Sequence, residues 1–323
     1  MVVGAGVAIA LATGAPSQPA HAKDLSPADQ RSKVMSKVKN WGYQLQRLDV
    51  PALAVSPFDL LVIDHAPDRV DSVELLFRRA DLEPLKKKPD GSRRQVLAYV
   101  SIGEAERYRF YWDDAWLAPD KRPTWLGAVN PKWVGNYPVE FWQTDWQSLI
   151  FGHSDSYIDR ILEAGFDGIY LDRADVYDEF KTRPAAQAEM VNFVSKLVDH
   201  ARKIKPDVLV VMQNAEELIR NKEVRARIDG VAKESLFFNP DLVATNTETE
   251  ARASLDDLRF ARKVGRRVLL VEYLGDPTLA KQVRSRAEAE GFLIHFAERT
   301  LSSLNLSGPD QQATAHTVPA SVR

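Results

Sequence analysis

The sequence contains no cysteine, which excludes disulfide bonds, thiol nucleophiles and cysteine-ligated zinc. It also lacks an excess of charge, because 43 lysines and arginines are balanced by 45 aspartates and glutamates, for a formal net charge of −2. A chain so balanced has no overall electrostatic attraction to nucleic acid or to anionic lipid, and we expect neither as a partner. Its hydrophobic content of 45% is typical of a globular protein with a packed core.

Several catalytic motifs are missing as well. No HxH or HExxH pattern is present, so a hydrolytic zinc centre is not expected, and the prediction is for a protein without a metal or cofactor. The G-x-S-x-G elbow and the P-loop are also absent, which argues against an esterase and against a nucleotide enzyme. Calcium or magnesium binding by carboxylates stays open from residue types alone.

The longest apolar run lies at the amino terminus. Small apolar residues fill positions 2–12, and Ala20-His21-Ala22 follows before Lys23. This pattern predicts a signal peptide over residues 1–22, cleaved near Ala22, and hence export to the periplasm or the exterior. The run is too short to span a bilayer stably, so no membrane anchor is expected.

The remaining chain divides into three predicted parts. Residues 23–37 contain few apolar positions and are predicted to be a linker, and the polar residues 302–323 are predicted to be a disordered tail. Residues 38–301 between them alternate strand-like and helix-like segments. We expect these residues to form a single domain and the protein to be a monomer.

The alternation predicts an α/β fold, a (β/α)8 TIM barrel. Amphipathic helical patterns separate most of the strands, and Gly165, Gly265 and Gly291 stand where helices should end. An open doubly wound sheet is the alternative, but the glycine-rich phosphate motif that it would carry after its first strand is absent. The predicted strands cover residues 41–46, 60–65, 96–102, 168–172, 208–213, 230–234, 268–273 and 292–296.

Carboxylates end several of these strands. Alternate residues of a barrel strand point inward, so an inward Asp172 places Tyr170 inward too. The segment "FDGIYLD" that ends in Asp172 is echoed by "IDGVAKE", which ends in Glu234. The same alternation places two further acids inward, and one more follows the third strand. These three are Asp64, Glu272 and Glu104.

Carboxylates that converge at the carboxyl-terminal rim of a barrel are typical of an active site. Ionised together they repel one another, which raises the pKa of some of them. A single such acid is more simply explained as a helix cap or turn residue, but five on one rim favour function. Glycoside hydrolysis needs two carboxylates, one as general acid and one as nucleophile or base, and Asp172 and Glu234 form the predicted pair. The sequence decides neither which of them is the acid nor whether the reaction retains or inverts configuration.

The segment that follows the third strand, residues 104–147, is long and aromatic. It contains six of the seven tryptophans. Such side chains stack on sugar rings, but we expect about half of them only to pack the loop against the barrel. The six are Trp112, Trp116, Trp125, Trp133, Trp142 and Trp146.

Several sequence blocks, taken together, resemble the endo-α-1,4-polygalactosaminidase family of glycoside hydrolases. The resemblance extends over nearly the whole predicted barrel and implies a secreted (β/α)8 enzyme. Such an enzyme cleaves internal α-1,4 linkages of partly N-acetylated galactosamine polysaccharides. The blocks are "WGYQLQ", "LLVIDHA", "VLAYVSIGEAERYR", "GFDGIYLDRADVY", "MQNAEEL", "DGVAKESLF" and "VLLVEYL".

The resemblance also implies roles for individual residues. Asp172 and Glu234 would be the catalytic pair, and Tyr170 joins the sugar site on register alone. Because deacetylated galactosamine is a cation, an acidic mouth would attract it. A hydrolase of a neutral α-linked polysaccharide and a non-catalytic polysaccharide-binding barrel are the alternatives. The positions that would line the sugar site are Asp64, Tyr99, Glu104, Asp175, Asn214 and Glu272.

Overall fold

The eight segments predicted as strands form one sheet in the computed structural model. The structure describes Met1, residues 25–70 and residues 73–304, with the side chains of residues 68–73 left out. All strand pairs of this sheet are parallel and follow the order of the chain. The strands are β1 Trp41–Gln44, β2 Leu60–Ile63, β3 Gln95–Ser101, β4 Gly168–Asp172, β5 Leu209–Gln213, β6 Gly230–Glu234, β7 Arg267–Glu272 and β8 Leu293–Phe296.

The sheet curls into a nearly closed barrel, which confirms the (β/α)8 prediction. At the seam between β8 and β1, the indole N–H of Trp41 donates to the carbonyl of Leu293 at 3.2 Å. Beyond β1, the backbone N–H groups of Leu45 and Gln46 donate to the carbonyl of Leu301 at 2.9 and 3.0 Å. The first and last parts of the barrel are therefore joined by hydrogen bonds from side chains and loops.

Helices lie between most of the strands. Gly165, Gly265 and Gly291 follow three of them with left-handed φ of 99°, 81° and 69°, as predicted, because only glycine adopts this conformation without cost. The helices are α1 Pro27–Lys37, α2 Val50–Val55, α3 Arg79–Leu82, α4 Thr144–Ile150, α5 Tyr157–Ala164, α6 Ala186–Ile204, α7 Lys222–Arg227, α8 Glu248–Lys263 and α9 Pro277–Glu290.

Shorter elements stand in the connections. In the described part of the chain, three short antiparallel strand pairs join Asp68–Val70 with Val73–Leu75, Glu104–Glu106 with Asn136–Pro138, and Phe238–Asn239 with Ala244–Thr245. Single 3₁₀ turns occupy Pro84–Lys86, Asp114–Leu117, Ala174–Glu179 and Glu216–Arg220. The last of these directly precedes α7, so the connection between β5 and β6 consists of a 3₁₀ turn and a short helix.

The core has two layers separated by the sheet. The inner layer fills the barrel, and the outer layer lies between the strands and the helices. The predicted alternation is confirmed for β2, β4 and β6, where Val62, Tyr170 and Ala232 are inside while Ile63, Leu171 and Val231 belong to the outer layer.

The register predicted for β7 is wrong. Leu269 and Val271 face the barrel interior, while Val268 and Leu270 belong to the outer layer. The pairing with β6 explains this, since Val271 lies opposite Glu234 and neighbouring positions of parallel strands face the same side. Glu272 therefore points away from the interior.

The linker predicted over residues 23–37 is wrong for its greater part, because α1 occupies Pro27–Lys37. Ser26 caps the helix by accepting a hydrogen bond from the backbone N–H of Asp29 at 3.2 Å. Met35 joins the inner layer, and Arg31 donates to Asp229 at 3.2 Å. Since Asp229 immediately precedes β6, the helix packs against the amino-terminal end of the barrel.

The predicted terminal segments are described only in part. The predicted signal peptide over residues 1–22 lies outside the described residues, apart from Met1, and so does the predicted tail from residue 305 onward. Ser302 is buried and its carbonyl accepts from Gln44, while Leu304 packs against the core, so the tail begins later than predicted. Among the described helices, none combines the length and the apolar character that crossing a membrane requires.

Candidate active site

Asp172 ends β4 at the carboxyl-terminal rim of the barrel. Three donors fix its carboxylate: the hydroxyl of Tyr99 at 2.7 Å, the backbone N–H of Arg173 at 2.8 Å and the side-chain amide of Gln213 at 3.1 Å. These donors come from β3, β4 and β5, so the register of three neighbouring strands positions one carboxylate.

Glu234 ends β6 and has a similar set of partners. The amide of Asn214 donates to one carboxylate oxygen at 2.7 Å, and the hydroxyl of Tyr273 donates to the other. Asn214 also accepts the backbone N–H of Glu234 at 3.1 Å, which fixes the amide orientation. The residues that follow β5 and β7 thus hold the carboxylate that ends β6.

The backbone directly after these strands is strained. Arg173, Asn214 and Ser235 follow β4, β5 and β6, and all three have left-handed φ, of 59°, 57° and 53°. Non-glycine residues rarely adopt this conformation, and it is often found at functional sites. Here it turns the chain sharply at the end of three adjacent strands, so that two catalytic candidates and one of their partners lie at a common rim.

The two carboxylates influence each other electrostatically. Burial, the charge of Glu234 and the charge of Asp175 together raise the pKa of Asp172 to about 8. Burial also raises the pKa of Asp175 to about 6, even though the Arg173 guanidinium opposes the change. Asp172 therefore holds a proton at neutral pH beside a second carboxylate. This is the arrangement that general acid–base chemistry requires.

Tyr170 lies beneath this pair and is fully buried. Its ring stacks on Trp41 at a centroid distance of 6.2 Å and packs against Tyr43 at 5.3 Å. The structure therefore places Tyr170 below the rim, and its predicted role in the sugar site stays a prediction. Its ring forms the floor that supports the two carboxylates.

Asp64 is not available to a substrate either. Both of its oxygens accept from the buried guanidinium of Arg109 at 2.9 Å. Although burial by itself acts in the opposite direction, Arg109 and His65 hold the pKa of Asp64 well below its usual range. Arg109 therefore neutralises the carboxylate that was predicted to line the sugar site.

The same cluster includes the one group of side chains with metal-ligand spacing among the described residues, Asp64, His65 and Glu74. Arg109 lies within hydrogen-bonding distance of all three, at 2.9 Å from Asp64, 3.2 Å from His65 and 3.2 Å from Glu74. A guanidinium already supplies the positive charge at this point. The donor set does not fit an additional metal ion.

Glu104 supports the long loop rather than the substrate. Its carboxylate accepts from Asn130 at 2.8 Å and from Asn136 at 3.2 Å, and it pairs with Arg173 at 3.2 Å. Gly103 before it approaches the carbonyl of Arg173 so closely that a Cβ atom would overlap it. The carboxylate is almost fully buried, so its prediction as a sugar contact is wrong.

Glu272 is also wrongly predicted as a residue of the mouth. It is fully buried, and its two oxygens accept the backbone N–H groups of Phe237 and Phe238 at 2.8 and 3.1 Å. Burial raises the pKa of Glu272 to about 7, against the effect of these hydrogen bonds. Its role is to anchor the hairpin that follows β6.

Comparison with known proteins agrees with this geometry. Residues 22–314 match the model of glycoside-hydrolase family GH114. The chain belongs to family GH114. It is therefore a glycoside hydrolase, and the family suggested by the sequence blocks is confirmed.

An uncharacterised protein of Deinococcus radiodurans is 34% identical over 86% of this chain and 86% of its own length. One of Thermotoga maritima is 36% identical over 73% of this chain and 71% of its own.

Two solved structures share the fold of this GH114 chain. The glycoside hydrolase domain of PelA from Pseudomonas aeruginosa superposes with a TM-score of 0.63 at 17% identity, covering 82% of this chain and 97% of that domain. Ega3 from Aspergillus fumigatus, in complex with galactosamine, superposes with a TM-score of 0.59 at 18% identity and covers 82% and 92%. At these identities the similarity establishes the barrel architecture.

Of the positions predicted to line the sugar site of this GH114 barrel, the structure brings Tyr99 and Asn214 into contact with Asp172 and Glu234, and Asp175 lies close to Asp172. Sequence analysis missed Gln213 and Tyr273, which donate to Asp172 and Glu234. Gln213 follows Leu209 and Val211 at inward positions, so alternation could have found it. Tyr273 was missed because the register assigned to β7 was shifted by one residue.

The tryptophans of the long GH114 loop are mostly packed. Trp125 and Trp146 are buried, and Trp112, Trp116 and Trp142 are partly buried against the core. More of the six tryptophans therefore pack the loop against the barrel than the half that was expected. Trp133 differs from the other five because it is 49% exposed.

Proposed function

We propose that this GH114 enzyme hydrolyses internal α-1,4 linkages of a galactosamine-containing, partly N-acetylated polysaccharide. The observation that carries the proposal is the pair of Asp172 and Glu234, which end β4 and β6 at one rim and are both fixed by hydrogen bonds, with the pKa of Asp172 raised to about 8 by burial and by the charge of Glu234. The galactosamine bound to Ega3, which shares the fold, supports this choice of sugar. The glycosidase reaction needs both the pair and its proton.

In the proposed mechanism, one carboxyl of the pair donates its proton to the glycosidic oxygen while the other attacks the anomeric carbon or activates a water molecule. Tyr99, Gln213 and the backbone of Arg173 orient the Asp172 carboxylate, and Asn214 and Tyr273 orient Glu234. Because these donors come from neighbouring strands and their ends, the pair is fixed before the substrate arrives.

The charge of the mouth favours an amino sugar over a neutral one. Asp64 and Glu104 are neutralised by Arg109 and Arg173, but Asp175 is only partly buried and lies close to Asp172. Glu234 is partly exposed at the rim. Asp175 pairs with Arg173 at 3.5 Å, but this guanidinium is shared with Glu104 and Glu179, so the acidic groups outnumber it. A protonated amino group on a bound sugar unit gains from this local negative charge, and a neutral sugar does not.

The decisive experiment is to incubate the purified protein with partly deacetylated poly-α-1,4-galactosamine and to analyse the products by mass spectrometry. We expect oligosaccharides from wild type and a loss of about 10²–10⁴-fold in rate for Asp172→Asn and for Glu234→Gln. Asp120→Asn, at an exposed position, is the control. Equal rates for both active-site variants and wild type would refute the assignment of the pair.

The same reaction assigns the two roles. With a substrate that carries a good leaving group, loss of the general acid is tolerated in the first step, whereas loss of a nucleophile is not. In the variant that lacks the general acid, added azide restores turnover and forms a glycosyl azide. A product with the configuration of the substrate indicates a covalent intermediate, and the inverted configuration indicates direct displacement.

We also propose that the enzyme acts outside the cytoplasm after removal of residues 1–22. The support is the apolar run at positions 2–12 and the Ala20-His21-Ala22 sequence. Amino-terminal sequencing of the protein recovered from a culture supernatant or a periplasmic extract tests this. A mature chain that begins at Lys23 is expected, and an intact Met1 in every fraction would contradict it.

A further inference from the structure

An exposed apolar surface lies at the rim of the barrel, and we call Trp133, Leu242, Val243, Asp241 and Arg299 the Trp133 platform. Trp133 is 49% exposed, Leu242 70% and Val243 74%. The guanidinium of Arg299 lies 6.0 Å from the centroid of the indole ring and also pairs with Asp241 at 2.5 Å. One arginine therefore links the indole to the tip of the hairpin that carries the two aliphatic side chains.

All three parts of the platform come from segments that follow the carboxyl ends of strands. Trp133 belongs to the long segment after β3, the hairpin tip to the segment after β6, and Arg299 to the segment after β8. Connections of this kind form the catalytic face of a (β/α)8 barrel. The platform therefore shares its face with Asp172 and Glu234.

Two chains of contacts connect the platform to the catalytic pair. On one side, Arg299 lies within electrostatic reach of Tyr273, whose hydroxyl donates to Glu234. On the other side, the backbone N–H of Trp133 donates to the carbonyl of Asn130 at 3.3 Å, and the side chain of Asn130 donates to Glu104.

Glu104 in turn pairs with Arg173, the residue directly after Asp172. The second of these links consists of hydrogen bonds and an ion pair, and the first is an electrostatic interaction, so the platform is coupled to the mouth from two sides. A polymer that leaves the catalytic pair in this direction passes over it.

On the basis of the proposed function, we propose that the Trp133 platform is a binding subsite for a sugar unit of the polysaccharide away from the bond that is cleaved. An indole face binds the C–H side of a sugar ring, and flanking aliphatic side chains extend the contact. Arg299 and Asp241 fix the platform and offer hydrogen-bonding groups to the hydroxyl and amino substituents. A subsite outside the catalytic pair suits an enzyme that binds within a long chain.

The test compares Trp133→Ala with wild type on two substrates, partly deacetylated poly-α-1,4-galactosamine and an aryl α-galactosaminide with a single sugar. Because an aromatic contact is worth about 0.5–1.5 kcal/mol, we expect KM for the polymer to rise about two- to tenfold. The value of kcat/KM for the single-sugar substrate should stay unchanged, and Trp133→Phe should restore most of the polymer affinity.

Trp142→Ala is the matched control, because Arg183 lies 4.0 Å from the centroid of the Trp142 indole in a similar arrangement outside the platform. It should leave KM for the polymer unchanged. An unchanged KM for Trp133→Ala would overturn the platform, and so would an equal loss on both substrates. Failure of the catalytically inactive Asp172→Asn protein to retain any amino-sugar polymer would instead overturn the proposed function together with the platform.

Discussion

At the scale of single residues, the structure separates carboxylates that hold the protein together from those left for chemistry. Asp64 and Glu104 are paired with Arg109 and Arg173, and Glu272 accepts two backbone N–H groups. Burying a carboxylate costs free energy unless it is paired or hydrogen-bonded, so these three are structural. The partners come from loops, and for this reason the alternation of strand residues could not distinguish the two kinds.

Tyr273→Phe tests the role of the second partner of Glu234. A hydrogen bond to a charged group is worth about 1.5–3 kcal/mol, so kcat should fall roughly ten- to a hundredfold while KM changes little. Tyr137→Phe, whose ring stacks on Trp112, is the control. A loss of stability with an unchanged kcat would reduce Tyr273 to a packing residue.

Asp172→Asn should stabilise the protein while it inactivates the enzyme. The pKa of Asp172 is about 8 in the folded state, against an ordinary value of 3.8, so the folded state binds its proton more tightly than the unfolded state does. Wild type therefore loses stability as the pH rises from about 4 to about 8, because the unfolded state releases this proton above pH 4 while the folded state keeps it until about pH 8. Asparagine does not ionise and avoids this loss.

Thermal unfolding of both proteins at several pH values measures the effect. We expect equal stability near pH 4 and an advantage for Asp172→Asn that grows by up to about 1.4 kcal/mol for each pH unit between about pH 4 and about pH 8. Asp120→Asn should show no such dependence, since Asp120 is exposed. An advantage for Asp172→Asn that does not change with pH would contradict the raised pKa.

At the scale of elements, the sequence predicted the barrel strands well and their surroundings less well. β4 and β6 were predicted at their observed bounds because a carboxylate fixed both their ends and their inward positions. β7 reads "RVLLVE", which is apolar at both alternating sets of positions before Glu272, so periodicity could not choose the inward set. The pairing with β6 decides it, and pairing is a tertiary property.

The helix α1 was missed for a different physical reason. Most of its residues are exposed, so its few buried positions, among them Arg31 and Met35, give a weak helical pattern. A buried arginine does not look like a core residue in a sequence. Its acceptors, Asp229 and the carbonyl of Pro206, lie about 200 residues away.

Met35→Ala tests whether α1 is part of the domain. Met35 is buried in the inner layer of the barrel, so the truncation should lower the free energy of unfolding by about 2–4 kcal/mol. Lys33→Ala on the exposed side of the same helix should change it by less than about 0.5 kcal/mol. Urea unfolding followed by circular dichroism measures both. Equal stability of the two variants would mean that residues 27–37 are only a linker.

At the scale of the whole molecule, the distribution of charge matters more than the total. The formal net charge is only −2, and the buried acids beside the mouth are compensated by arginines. Around the mouth, Glu234 and Asp175 stay partly exposed, and the single guanidinium of Arg173 is shared among Asp175, Glu104 and Glu179. A small cluster of this kind acts over a short range and attracts a cationic sugar more strongly than a neutral one.

The dependence of activity on salt follows from this arrangement. The Debye length falls from about 10 Å at 0.1 M ionic strength to about 3 Å at 1 M, so the attraction between the mouth and a protonated amino sugar weakens as salt is added. We expect KM for deacetylated poly-galactosamine to rise several-fold over this range, with little change in kcat. Fully N-acetylated polymer carries no charge and is the matched control, since its KM should stay constant. Equal salt dependence for the two polymers would show that the enzyme does not recognise the amino group by charge, and a neutral α-linked polysaccharide would then fit the site equally well.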